Sequence, residues 1–105
     1  MTQDFITSLN NFVNVAQSTI NEHFKNFGYS NPPVLEIDGG NKYVKIVEVR
    51  HGSVGKSVYG FVEKSTGNIL KAASWRAPAK HSRGNIYDAD GGASACTPWG
   101  IKYLK

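Results

Sequence analysis

The sequence predicts an α+β fold: one long N-terminal amphipathic helix packs on a four-stranded antiparallel sheet, and an irregular C-terminal segment wraps it. Three observations predict it. Apolar residues recur with a helical period over 3–27, and with a period near two over 34–75. Residues 76–105 are rich in glycine, proline and aromatic residues and have little periodicity. The length of 105 residues favours a single domain, 1–105.

The helix is predicted over 3–27 because apolar residues follow one another at spacings of three, four or seven to eight. Thr2 is a suitable N-cap residue, Gly28 a suitable C-terminal stop, and Pro32 and Pro33 prevent the helix from resuming. Alternatively, the apolar face of this helix could pack against a partner helix in a coiled coil, but the helix is short and lacks a heptad charge pattern. The predicted stripe consists of Phe5, Leu9, Phe12, Val13, Ala16, Ile20, Phe24 and Phe27.

Four strands are predicted over residues 34–38, 42–50, 56–64 and 69–75. The turn "DGGN" between the first two predicts a hairpin in which both glycines have positive φ. "HGSVG" (51–55) is predicted as a loop, and "STGN" (65–68) as a turn rather than a phosphate loop. Short connections favour an antiparallel meander.

Alternation within the strands predicts which side chains share a face. In the second strand Val44 and Ile46 point one way, and Lys45 lies on the other face with Tyr43, Val47 and Val49. In the third strand, Tyr59 and Phe61 are expected on one face and Val58 and Val62 on the other. Gly60 is predicted to mark a bulge or a close approach by the helix.

The C-terminal segment, 76–105, is too apolar to be disordered, so we expect it to fold back over the sheet. The residues expected to pin it there are Trp75, Ile86, Tyr87, Trp99, Ile101, Tyr103 and Leu104.

Charge is distributed unevenly along the chain, whose net charge is +4 and whose isoelectric point is near 9.3. Residues 1–55 have a balance of −1, and residues 56–105 a balance of +5. A partner of the second half is therefore expected to be anionic.

The segment "SWRAPAKHSRGN" (74–85) concentrates this charge, and no acidic residue occurs between Lys71 and Arg83. Arginine and lysine bind phosphate oxygens, and an indole offers a face on which a base can stack. The alternative is a solvated basic loop with its tryptophan anchored in the core. The predicted phosphate-binding or nucleic-acid-binding residues are Lys71, Trp75, Arg76, Lys80, His81, Arg83 and Asn85.

Metal and catalytic sites receive little support. The histidines are too widely spaced along the chain to indicate a metal site. Asp88 and Asp90 begin a calcium-loop pattern, but no glutamate completes it. We therefore interpret these two carboxylates as turn caps. Cys96 is the single cysteine, which excludes an internal disulfide, and it is interpreted as a packed side chain rather than as a nucleophile paired with His81. We therefore predict no enzyme activity, no metal and no cofactor.

The C-terminal half resembles a group of small uncharacterised proteins encoded by tailed bacteriophages. The shared pieces are "YGFV" (59–62), "TGNILKAASW" (66–75), "APAK" (77–80) and "RGNI" (83–86). The closing "WGIKYL" (99–104) departs slightly, because a tyrosine usually stands where this chain has its tryptophan. The resemblance implies a phage origin and a site of action inside an infected bacterium, without implying an activity.

The sequence thus predicts a small non-enzymatic phage accessory protein that binds nucleic acid or a nucleotide phosphate. One alternative is an inhibitor or sponge that binds a host defence factor or a nucleotide signal, and the other is a structural virion or assembly component. No apolar run is long enough to span a membrane and no signal peptide is recognised, so we expect a soluble protein in the host cytoplasm. A host protein partner and self-association are both compatible with the sequence.

Overall fold

A computed structural model describes residues 3–28, 32–50 and 56–102 of the chain. It confirms the α+β class, with helix α1 preceding an antiparallel sheet. The elements are α1 (Gln3–Asn26), β1 (Val34–Asp38), β2 (Tyr43–Val49), β3 (Lys56–Glu63), β4 (Asn68–Leu70), β5 (Gly84–Asn85), a 3-10 helix (Ala93–Ala95), β6 (Cys96–Thr97) and β7 (Gly100–Ile101).

The sheet is the predicted meander with one more strand, in the order β1-β2-β3-β4-β5, and β6 and β7 form a separate hairpin. The fourth strand ends at Leu70 rather than at residue 75. Beyond it the chain folds back on itself, because Ala79 N donates to the carbonyl of Lys71 and Ala72 forms a bridge with Pro78. We call residues 71–79 the arch. The fifth strand comes from the segment that was expected to lack regular structure.

Helix α1 buries the predicted stripe except at its end. Phe5, Leu9, Phe12, Ala16 and Ile20 are buried in the core. The expectation for Phe27 is wrong: its side chain is 65% exposed, because the helix ends one residue earlier.

The stop at Gly28 is confirmed by its positive φ of 72°. Its backbone N–H donates to the carbonyl of Lys25 at 3.2 Å. The predicted cap at Thr2 lies outside the described residues, as do Tyr103, Leu104 and the loop 51–55.

The side chain of Gln17 fixes the helix to the edge of the sheet. Its amide nitrogen donates to the carbonyl of Pro33 at 2.8 Å, and its amide oxygen accepts from the N–H of Leu35 at 2.8 Å. These two bonds satisfy backbone groups at the start of β1, which is an edge strand of the sheet formed by the described residues.

A bulge in β3 corrects the predicted faces of that strand. Ile46 pairs with Gly60 while Val47 pairs with Val58, so Tyr59 is an extra residue on β3. Tyr59 therefore joins the helix-side core, and Phe61 lies on the opposite face, paired with Lys45. Strict alternation had placed these two aromatic residues together.

Glycine serves different purposes in the two predicted turns. The hairpin between β1 and β2 forms, but neither Gly39 nor Gly40 has the expected positive φ. In the turn before β4, Gly67 does adopt a φ of 79°, and its N–H donates to the carbonyl of Glu63 at 2.8 Å.

The C-terminal segment packs on the sheet through its aliphatic residues rather than its aromatic ones. Ile86 and Ile101 are buried as predicted. Trp75, Tyr87 and Trp99 are exposed by 45%, 51% and 76%, so their predicted role as core anchors is wrong.

Polar contacts complete the attachment of the C-terminal hairpin. The buried hydroxyl of Tyr59 donates to the carbonyl of Thr97 at 2.7 Å, and burial raises the pKa of this hydroxyl. Asp90 accepts hydrogen bonds from the N–H groups of Gly92 and Ser94, which lower the pKa of its carboxyl and confirm its predicted capping role. None of the helices in the described ranges has the length and apolar character needed to cross a bilayer.

Candidate functional site

The face of the sheet opposite α1 combines cationic and aromatic side chains. Cross-strand pairing places Lys45 beside Phe61 and opposite Asp38, and it places Tyr43 beside Glu63. These residues alternate with the helix-facing ones along β1, β2 and β3. We call this surface the open face.

The arch brings two further side chains to the open face. Trp75 lies against β2, because the Lys45 ammonium sits 4.1 Å from the centroid of its ring. This is a cation–π contact at a half-exposed indole. Arg76 lines a cleft together with Tyr43 and Phe61.

Two shallow clefts of about 280 and 250 Å³ cross the open face and share Asp38. The first is lined by Asp38, Gly39, Gly40, Asn41, Lys42, Tyr43, Lys45, Phe61 and Arg76. The second is lined by Glu36, Ile37, Asp38, Val47, Lys56 and Trp75. Because Lys45 and Trp75 are in contact and line one cleft each, the two clefts form a continuous surface.

The charge of this surface is positive but mixed. The cationic groups are Lys42, Lys45, Lys56 and Arg76, and the acidic groups are Glu36 and Asp38. Within the described part of the chain, none of these six side chains forms a salt bridge. The lysine and arginine donors can therefore bind an external anion without first breaking an internal ion pair.

The sequence-predicted residues separate into groups. Trp75 and Arg76 lie on the open face as described. Lys71 lies elsewhere: its ammonium donates to the carbonyl of Ile101 at 2.7 Å, and it lines a cleft beside Trp99. Partial burial, and secondarily the nearby guanidinium of Arg83, lower the pKa of Lys71.

Arg83 and Asn85 hold the loop together. One guanidinium nitrogen of Arg83 donates to the carbonyls of Lys80 and His81, both at 2.6 Å. The amide of Asn85 donates to the carbonyl of Thr66 at 2.9 Å and to the side chain of Asn68 at 3.0 Å. These bonds give both residues a structural role, and Nε of Arg83 is buried without a hydrogen-bond partner among the described residues.

Lys80 and His81 are exposed at the tip of this loop, and His81 has a positive φ of 73°. The seven predicted residues therefore do not line one cleft. The reason is that the arch closes at Ala79 and directs residues 80–85 towards β4, away from Trp75.

The strands contribute basic residues to the clefts that were not predicted from the sequence. Lys45 had been assigned to the correct face, but its position among the apolar residues of β2 was not read as a site. The sequence did contain one indication of this surface. Lys45 shares a half-covered face of β2 with Tyr43 and Val47, where an apolar residue would be expected.

Cys96 is partly buried, as predicted, and packs against the core. Burial raises the pKa of its thiol to about 11. Across the described ranges, no three histidine, cysteine, aspartate or glutamate side chains come together as a metal site.

These features define a small α+β protein with a basic, aromatic face on its sheet. The model of a family of unknown function, DUF7717, matches residues 1–103, so the chain belongs to that family. Neither the curated proteins nor the solved structures contain a match to it.

Proposed function

We propose that this chain is a small non-enzymatic accessory protein, of phage origin, that binds single-stranded nucleic acid across the open face. The observation that carries the proposal is the Lys45–Trp75 contact, which holds a cation against a half-exposed indole on a partly covered sheet face. Single strands are bound by stacking of bases on aromatic rings while lysine and arginine contact the phosphates.

The dimensions of the open face favour an extended polymer over a compact ligand. Its two clefts are shallow and continuous, and four cationic side chains are distributed along them. A small ligand is instead expected in an enclosed pocket. The carboxylates of Glu36 and Asp38 repel phosphates but accept hydrogen bonds from base amino groups, so they favour a bound strand that turns its bases towards β1.

Salt dependence of binding tests the proposal. Fluorescence anisotropy with a labelled oligodeoxycytidine, whose bases carry amino groups, should give an affinity that falls with salt, with a slope of about −3 if four phosphates are neutralised. Arg76→Ala should reduce the slope by about 0.7. Lys25→Ala removes an exposed lysine from α1, on the other side of the sheet, and is the matched control.

Stacking is tested separately with Trp75→Ala, which should weaken binding about 5- to 100-fold and leave the salt slope unchanged. The proposal fails if the oligonucleotide does not bind at low salt. It also fails if Arg76→Ala and Lys25→Ala change the salt slope equally. That result would show that the oligonucleotide is attracted to the net charge of the protein rather than to the open face.

A further inference from the structure

A buried carboxylate lies on the helix side of the sheet, away from the open face. Glu48 is only 5% exposed and has no lysine partner in the described ranges. One of its oxygens, Oε1, accepts from the hydroxyl of Ser57 at 3.1 Å and from Nε of Arg50 at 3.3 Å.

Burial of this carboxylate is costly, and the fold does little to offset the cost. The arginine partner is 66% exposed, so it is screened by water and contributes little. A buried charge normally has all its lone pairs satisfied. A ligand that donates a hydrogen bond to Glu48 and covers its exposed partner Arg50 would offset part of this cost.

Glu48 forms part of a cleft of about 370 Å³ with aromatic walls. The cleft is lined by His23, Phe24, Pro33, Glu48, Arg50 and Trp99. The imidazole of His23 and the indole of Trp99 are in edge contact, with centroids 5.1 Å apart. Trp99 is 76% exposed, so its ring is available for stacking.

A second cleft, of about 410 Å³, also uses Trp99 as a wall. Its lining is Lys71, Thr97, Trp99, Gly100, Ile101 and Lys102, which includes two cationic residues and no acidic one. An aromatic ring thus separates a hydrogen-bonding cleft from a positively charged one.

We propose that this double cleft binds a nucleoside phosphate, with its base beside Glu48 and Arg50 and its phosphate beside Lys71 and Lys102. The hydrogen-bonding edge of a nucleobase presents a donor next to an acceptor, which a carboxylate and a guanidinium match. Trp99 would stack on the base.

Simpler ligands fit the double cleft less well. A small ammonium ion would meet the positive charges of Arg50 and Lys71. A bare phosphate would be repelled by the carboxylate of Glu48 and would leave the ring of Trp99 uncovered. This site lies apart from the open face, so it goes beyond the proposed binding of single strands and does not depend on it.

Calorimetry with nucleoside 5′-monophosphates, the matching nucleosides and ribose 5-phosphate tests the site. Both parts of the ligand should contribute, so each fragment should bind at least about tenfold more weakly than the nucleotide. Trp99→Ala should weaken nucleotide binding about 5- to 100-fold. Lys102→Gln should weaken nucleotide binding while leaving nucleoside binding unchanged.

Lys25→Gln is the control, because it removes an exposed lysine of α1 that lines neither cleft, and it should preserve nucleotide affinity. A Trp75→Phe background leaves Trp99 as the only indole for fluorescence. Quenching of the remaining fluorescence by the nucleotide would locate the ligand at Trp99. The proposal is overturned if no nucleotide binds at millimolar concentration, or if ribose 5-phosphate binds as tightly as the nucleotides. It is equally overturned if Trp99→Ala, checked for its native circular dichroism, retains full affinity.

Discussion

Gly60 is the position at which the C-terminal hairpin rests on the sheet. A Cβ added there would overlap Cγ1 of Ile101 and would lie 3.1 Å from the carbonyl oxygen of Leu70. Ile101 is 1% exposed and belongs to the core. Gly60→Ala therefore forces the hairpin away from β3. The element that closely approaches Gly60 is β7, and not the helix as the sequence had suggested.

The expected cost follows from overpacking. Inserting a methyl group into a packed core costs about 1–3 kcal/mol. Replacing glycine by alanine also restricts the unfolded chain, and this effect stabilises the folded state by about 0.5–1 kcal/mol. The net loss for Gly60→Ala should be about 1–2 kcal/mol, measured by urea unfolding followed by circular dichroism.

A double-mutant cycle shows whether the cost arises from the contact with Ile101. Ile101→Ala alone should lose about 2–5 kcal/mol, because it leaves a cavity. In the double variant the new methyl group enters that cavity, so the combined loss should be about 1–2 kcal/mol smaller than the sum of the two single losses.

Gly39→Ala is the matched control, because an added Cβ meets nothing within 4 Å and the φ of this residue is not positive. Its stability should lie within about 0.5 kcal/mol of the wild type. The reasoning is refuted if Gly60→Ala is tolerated as well as this control, or if the losses at Gly60 and Ile101 are additive.

Three further outcomes are expected. At pH 8, the Cys96 thiol should react with a disulfide reagent about a hundredfold more slowly in the native state than in urea, because its pKa is about 11 rather than near 9; equal rates would show that it is accessible. The folded-state pKa of Asp90 is lowered, so its stabilising effect is present above the unfolded pKa near 4 and disappears as pH falls through the folded value. Thermal unfolding of Asp90→Ala should therefore show a lower Tm at pH 7 and a difference that shrinks towards pH 3; a constant difference would contradict a role for the charge. His81→Gly should raise stability by about 0.5 kcal/mol, because it relieves a left-handed backbone conformation, and a decrease would reveal an interaction of the imidazole.

Local rules predicted most of the fold. The periodicity from Phe5 to Ile20 defined the buried side of α1, and Gly28 marked its end. Short turns between alternating segments indicated the meander. Each of these features depends on residues that are close together in the sequence, which is where pattern arguments are strongest.

The errors arose where tertiary contacts decide the outcome. The bulge at Tyr59 reverses the faces of β3, and it is coupled to the approach of Ile101 from forty residues further along the chain. The strand predicted up to residue 75 ends at Leu70 because of a bridge between Ala72 and Pro78. Such long-range pairings have no local signature.

The candidate site was predicted in part for the same reason. Composition alone singled out Trp75 and Arg76, which lie on the open face, but it could not show that Lys45 of β2 lies beside them. Conversely, Arg83 and Asn85 look like ligand-binding residues in the sequence and are occupied by backbone carbonyls in the fold. A basic residue in a loop predicts a site only when the loop does not need its hydrogen bonds.

Both proposed sites combine a tryptophan from the C-terminal segment with charged groups of the sheet. Trp75 meets Lys45 on the open face, and Trp99 lines one cleft with Glu48 on the other side. The sheet strands are stable platforms, whereas the arch and the β6–β7 hairpin are attached through few strand pairs. A ligand that bridges indole and strand stabilises the attachment that forms its own site. Binding and ordering of these attachments should therefore be coupled, and the exposed Trp75 and Trp99 are positions where affinity can be adjusted without disturbing the core.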